Sequence, residues 1–263
     1  MNQSDFDKKW LYEPLNAYNV LEFDIPESEL DKVNSYYLKE IQPNLQNEKT
    51  EEGFTGGLYC EIGDRDGEDC WFIMETKWNS DLKWVSVNNL KTYEKWSKLF
   101  YEFKFDKVFD NLIDYDKKIN IYSIFIVTRS EGVSHDFHID WFGPANGNAF
   151  TSMAPIQTCR EDTINLDYKD VDGNQRQYKY EKGKSVAFSE GFLHSTGVGK
   201  SEAPDAFLCF SFGSDKPEYQ ETNQKTGAYQ GRRYMDPQKG WSLTKLNEDW
   251  SNKDVGSYND LVK

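Results

Sequence analysis

Ile119-Asn120-Ile121-Tyr122-Ser123-Ile124-Phe125-Ile126-Val127-Thr128 divides the chain. The run is rich in β-branched and aromatic side chains, carries no charge, and reads as a buried strand. From Ile119 onward the segments stay short and are separated by turn residues. Residues 137–141, 149–158, 163–169, 177–181, 185–189 and 206–213 follow as further strands. Asp172-Gly173-Asn174 makes a hairpin turn, because glycine and asparagine tolerate positive φ. Short strands in such close succession imply a sandwich or jelly roll.

Before Ile119 the texture is different. Residues 18–26 alternate as a half-buried strand, and residues 27–42 place Leu30, Val33, Tyr37, Leu38 and Ile41 at helical spacing. Asn88-Asn89 offers the start of a second helix that brings Leu90, Tyr93, Trp96, Leu99, Phe100 and Phe103 towards one face. Between these helices, residues 51–69 are acidic and glycine-rich, the composition of a loop or hairpin near a binding surface. Beyond Asp215 the chain turns polar, as a tail or lid would, with Arg232-Arg233 flanked by tyrosines. The expected fold is therefore mainly β with helical support (α+β), a jelly roll with N-terminal helices packed on one sheet. Residues 1–118 form the support, 119–215 the core and 216–263 an extension, all within one globular domain.

The chain has 263 residues, and 31 Lys and Arg against 45 Asp and Glu give a net charge of -14. That field repels nucleic-acid backbones and anionic membranes, which leaves a small molecule as the expected partner. Nothing in the sequence sets an oligomeric state. No basic start leads into an apolar run and no long apolar span occurs, so a soluble, cytoplasmic protein is expected. Cys60, Cys70, Cys159 and Cys209 have no metal-type spacing and read as reduced thiols, with a Cys60–Cys70 bridge as the alternative outside the cell.

The chain has three histidines, His135, His138 and His194, confined to two short segments. On an extended segment His138 and Asp140 share a face, and His194 follows a strand and a glycine turn. Two histidines and one carboxylate are the ligand set of the facial triad that holds Fe(II) and leaves coordination positions open. The bland alternative is a structural His–Asp hydrogen bond with His194 capping a turn. His135 falls on the other side of a regular strand and suits a turn or supporting contact, as does Asp136. Trp141 and Phe142 are pocket walls or core.

The order of buried strand, His138-x-Asp140, several short strands, Gly183-Lys184-Ser185-Val186-Ala187-Phe188 and then His194-Ser195-Thr196 resembles the Fe(II)/2-oxoglutarate-dependent oxygenases of the double-stranded β-helix fold. The resemblance spans roughly residues 119–215. It implies that His138, Asp140 and His194 are catalytic iron ligands, that 2-oxoglutarate and O2 are co-substrates, and that hydroxylation of a small molecule such as an amino acid derivative is the outcome. An aspartate in the triad speaks against halide transfer, which needs a small residue there. Desaturation or cyclisation uses the same ligands.

The chain departs from the family at the basic residue that usually follows the distal histidine on the last strand, since positions 203–207 read Ala-Pro-Asp-Ala-Phe. A buried dicarboxylate still needs a cation or several donors. Arg129, at the end of the strand before the motif, is the first candidate, followed by Lys200 and Arg160, with Thr196 as a hydroxyl donor. Arg232 and Arg233 would select an anionic substrate if the C-terminal segment covered the mouth. Two other readings compete: a cupin-type metalloenzyme that needs no 2-oxoglutarate, although His135-x-x-His138 lacks the cupin pattern, and a noncatalytic jelly-roll binding module.

Overall fold

Alternating side chains let one β-strand serve two layers, and the sheet at the centre of this protein uses both. The structure, a computed structural model, describes residues 8–12, 20–47, 51–52, 58–75, 81–141, 145–170 and 172–243. It opens with β1 (Lys8–Tyr12), β2 (Val20–Asp24) and helix α1 (Glu27–Tyr36), which continues through a π turn at Tyr37–Ile41. Leu30, Val33, Tyr37 and Ile41 are buried, as their spacing predicts, whereas Leu38 is exposed.

Residues 51–87, read from the sequence only as a loop or hairpin in part, build a wing of strands: β3 (Glu51–Glu52), β4 (Leu58–Gly63), β5 (Cys70–Glu75) and β6 (Lys83–Val87). Gly63 makes the β4–β5 turn possible, with φ at 84° and no room for a Cβ beside the Asp69 carbonyl. Helix α2 (Leu90–Glu102) begins at Asn89, whose side chain accepts the Thr92 amide at 2.8 Å, as the sequence anticipates. Its buried positions are Thr92, Tyr93, Trp96 and Phe100, and the short α3 (Phe105–Phe109) follows.

The remaining strands are β7 (Asn120–Gly132), β8 (Ala149–Pro155), β9 (Leu166–Lys169), β10 (Gln175–Tyr178), β11 (Lys184–Phe188), β12 (His194–Thr196) and β13 (Gly199–Gly213). A helix α4 (Gln220–Gln230) and the hairpin β14 (Arg233–Asp236) and β15 (Gly240–Leu243) complete the described chain. The large sheet runs β1-β2-β11-β8-β13-β7-β6-β5-β4-β3 and is antiparallel throughout; the small one runs β10-β9-β12. His138 adds a single bridge to His194 beside β12, so the expected strand over 137–141 is reduced to one bridge residue.

Ile124, Ile126, Leu208, Phe210 and Phe212 face the helices, where they pack with Leu30, Val33, Trp96, Phe100, Phe105 and Phe109. Phe125, Val127, Met153, Val186, Phe188, Phe207 and Cys209 face inward and share a core with Leu166, Tyr178, Tyr180 and Phe192 from the small-sheet side. This is the expected jelly-roll sandwich with helices on its outer face. Among the described residues no helix is long and apolar enough to cross a membrane. Cys70 and Cys209 are buried thiols, while Cys60 and Cys159 are half-buried ones.

Where β7 ends, Gly132 lies so close to the segment after β12 that a Cβ there would meet the Gly197 carbonyl oxygen at 2.0 Å. Gly132→Ala is expected to destabilise the fold by about 1–3 kcal/mol, the usual cost of forced overpacking. Chemical denaturation measures it, and an unchanged midpoint would refute the tight approach.

Candidate metal centre

The chain after β7 carries His138 past β12, where the two histidine backbones exchange hydrogen bonds: His138 N–H to the His194 carbonyl at 2.8 Å and His194 N–H to the His138 carbonyl at 2.9 Å. Their rings come to 4.6 Å between centroids. Asp140 completes the group, with Oδ1 at 3.6 Å from His138 Nε2 and 3.6 Å from His194 Nε2. One ligand atom from each of the three side chains lies within 4.8 Å of the others, a grouping able to hold a metal ion.

The ring orientations are set from the other side. His138 Nδ1 lies 2.7 Å from the Asp136 carbonyl oxygen, and His194 Nδ1 lies 3.0 Å from that of Phe192. A carbonyl oxygen only accepts, so each Nδ1 is the donor of its contact and each Nε2 faces Asp140. Burial, followed by the nearby His138, presses the His194 imidazole down to about 4, which keeps it neutral and ready to ligate. Phe188 and Phe192 wall this ring at 4.6 and 5.3 Å between centroids. This donor set of two imidazoles and a carboxylate suits a divalent first-row metal.

Arg129 is 3 % exposed, inside the sandwich. Its Nη2 donates to the Ile164 carbonyl at 3.2 Å, its guanidinium lies over the Phe207 ring at 4.8 Å, and its Nε has no hydrogen-bond partner. Among the described residues no carboxylate pairs with it. A buried guanidinium without a counter-anion is a costly arrangement that an anionic ligand would relieve. Tyr180, which sequence reasoning passed over as a strand residue, adjoins it; burial pushes this phenol up to about 12 despite the neighbouring positive charge. Cys209 lies on the inward face near Asp140, its thiol raised by burial.

Lys200 is exposed on β13, opposite Glu131 in the β7 register, and Thr196 is half-buried opposite Leu166. Arg160 is committed to Asp162 and Asp205 at 3.0 Å each. Arg232 pairs with Glu61 on the wing, and Arg233 opens β14. His135 stays outside the group, with Nδ1 3.2 Å from Asp167 Oδ2 and its ring stacked on Phe137. The Asp136 amide donates to Ser195 Oγ at 2.9 Å, so this residue works through its backbone. Trp141 is buried with its ring 6.1 Å from that of Tyr122, and Phe142 lies outside the described residues.

No family model and no curated protein matches this chain. Solved structures resemble it at the level of backbone. The non-heme alpha-ketoglutarate-dependent epimerase SnoN from nogalamycin biosynthesis aligns at TM-score 0.47 and 10% identity, over 74% of this chain and 78% of that one. AviO1 from Streptomyces viridochromogenes aligns at TM-score 0.49 and 9% identity, over 76% and 90%. A prolyl-4-hydroxylase from Pseudomonas putida aligns at TM-score 0.41 and 10% identity, over 80% and 92%. Likeness of this depth leaves function to the geometry of the site.

That geometry has a pH signature in the metal-free protein. His194 is held below its ordinary value of 6.5, at about 4, so folding favours the neutral ring. The contribution is complete above pH 6.5 and is lost as pH falls towards 4. Urea unfolding of wild type and His194→Gln across this window should show the wild type losing up to roughly 3 kcal/mol more. Parallel pH profiles would contradict a buried neutral imidazole.

Proposed function

We propose that this protein is a non-haem Fe(II)- and 2-oxoglutarate-dependent oxygenase that hydroxylates a small molecule. The observation that carries the reading is the convergence of two Nε2 atoms and one carboxylate oxygen, with both Nδ1 positions occupied by backbone carbonyls. His138, His194 and Asp140 would hold the metal. Bound iron would supply the oxygen-activating chemistry, with 2-oxoglutarate and O2 as co-substrates.

The chain's own residues account for the rest. Two imidazoles and one carboxylate leave coordination positions for exogenous ligands. Arg129 is the anchor for the far carboxylate of 2-oxoglutarate, because it is a buried cation with an unsatisfied Nε and lies close enough for its charge to act on His194. The Tyr180 hydroxyl, kept protonated by burial, is a second donor for the same carboxylate. Phe188, Phe192 and Phe207 keep water from the bound dicarboxylate, which strengthens each of these contacts. The net charge of -14 favours a cationic or zwitterionic substrate, such as an amino acid derivative.

Anaerobic titration of the metal-free protein with Fe(II) and then 2-oxoglutarate tests the assignment. A visible metal-to-ligand absorption band is expected. Metal binding without that band would favour a cupin-type enzyme, and absence of metal binding a noncatalytic module. Arg129→Met should weaken 2-oxoglutarate binding by about 10- to 100-fold, the equivalent of one lost charge-assisted hydrogen-bond set, while leaving Fe(II) binding in place. Unchanged 2-oxoglutarate affinity would remove Arg129 from the anchor role.

A further inference from the structure

We propose that Thr226, on helix α4, is the positioning residue for Asp140; the inference rests on the metal-binding reading above. The segment bearing the aspartate is not part of a strand. His138 is pinned by its two backbone bonds to His194, but Asp140 lies beyond that bridge. Among the described residues its main chain has one hydrogen bond: the Thr226 hydroxyl donates to the Asp140 carbonyl at 3.1 Å. The next residue, Trp141, is buried beside Tyr122 and sets the direction of the chain. Apolar packing is not directional, so it does not set the rotation of the Asp140 peptide, whereas a hydrogen bond to the carbonyl does. That rotation decides whether Oδ1 keeps its 3.6 Å approach to both imidazoles.

Helix α4 looks built for such a contact. Its buried positions include Thr222, Asn223, Thr226 and Gln230, polar side chains where an ordinary amphipathic helix would place aliphatic ones. Burying polar groups is unfavourable unless they find partners, and Thr226 finds one in the Asp140 carbonyl. The helix is also firmly seated. The Ser86 hydroxyl on β6 donates to the Gln230 carbonyl, and a Cβ on Gly231 would come within 2.8 Å of Ser86 Cβ. Thr226 thus reaches Asp140 from a helix whose end is fixed on the large sheet.

Cobalt(II) binding to the metal-free full-length chain tests this, read from the visible d–d absorption and from competition titration without 2-oxoglutarate or substrate. Thr226→Val and Thr226→Ala, which delete the donor, should weaken cobalt(II) binding roughly tenfold, in the range for loss of a group that orients a ligand, and alter the d–d spectrum. Thr226→Ser should restore both. Ser86→Ala releases the far end of α4 without touching the Asp140 carbonyl and should keep wild-type affinity. The inference is overturned if the valine and alanine variants bind cobalt(II) like wild type while Asp140→Ala does not. It is equally overturned if Ser86→Ala weakens binding as much as Thr226→Val, since the effect would then belong to the helix as a whole. Wild-type affinity in Asp140→Ala would instead refute the metal site itself.

Discussion

The two hydrogen bonds exchanged by the His138 and His194 backbones are the constraint on which the centre depends. They join segments far apart in sequence and close the small sheet with a single residue. Because the pair is made by backbone atoms, the position of the rings survives changes of side chain nearby. The carbonyls of Asp136 and Phe192 then fix the tautomers. The placement of the two rings and the partners of their Nδ1 atoms are therefore set by main-chain geometry.

Much of this was legible in the sequence, for physical reasons. Few residue types ligate a metal, so a protein with three histidines concentrated in two short segments announces where to look. The strands from residue 119 onward were legible because burial on both faces demands β-branched and aromatic runs. The helix beginning at Leu90 was legible because its cap and its apolar stripe agree. Arg129 stood out for its place at the end of a buried strand, and the structure buries it.

Other parts left little trace. Strands β4 to β6 lie in a stretch whose glycines and acids mask the alternation of Phe72, Met74, Trp84 and Ser86. Helix α4 escaped because its buried face is threonine, asparagine and glutamine, and no hydrophobic period marks it. The carbonyls that orient the imidazoles are invisible in any sequence, since every residue has one. The expected strand over residues 137–141 shrank to one bridge because only His138 finds a partner.

Strands β7 and β13 carry two inventories at once. On one face, Ile124, Ile126, Leu208, Phe210 and Phe212 join the rings of α2 and α3 in an aromatic layer. On the other, the same strands present Arg129, Cys209 and Ser211 to the interior. A division of labour follows: rigidity is supplied from outside, so the inner face is free to hold polar groups that would weaken an ordinary core. A scaffold of this kind can exchange what it binds while keeping its shape, and its capacity for new chemistry resides in every second residue of two strands.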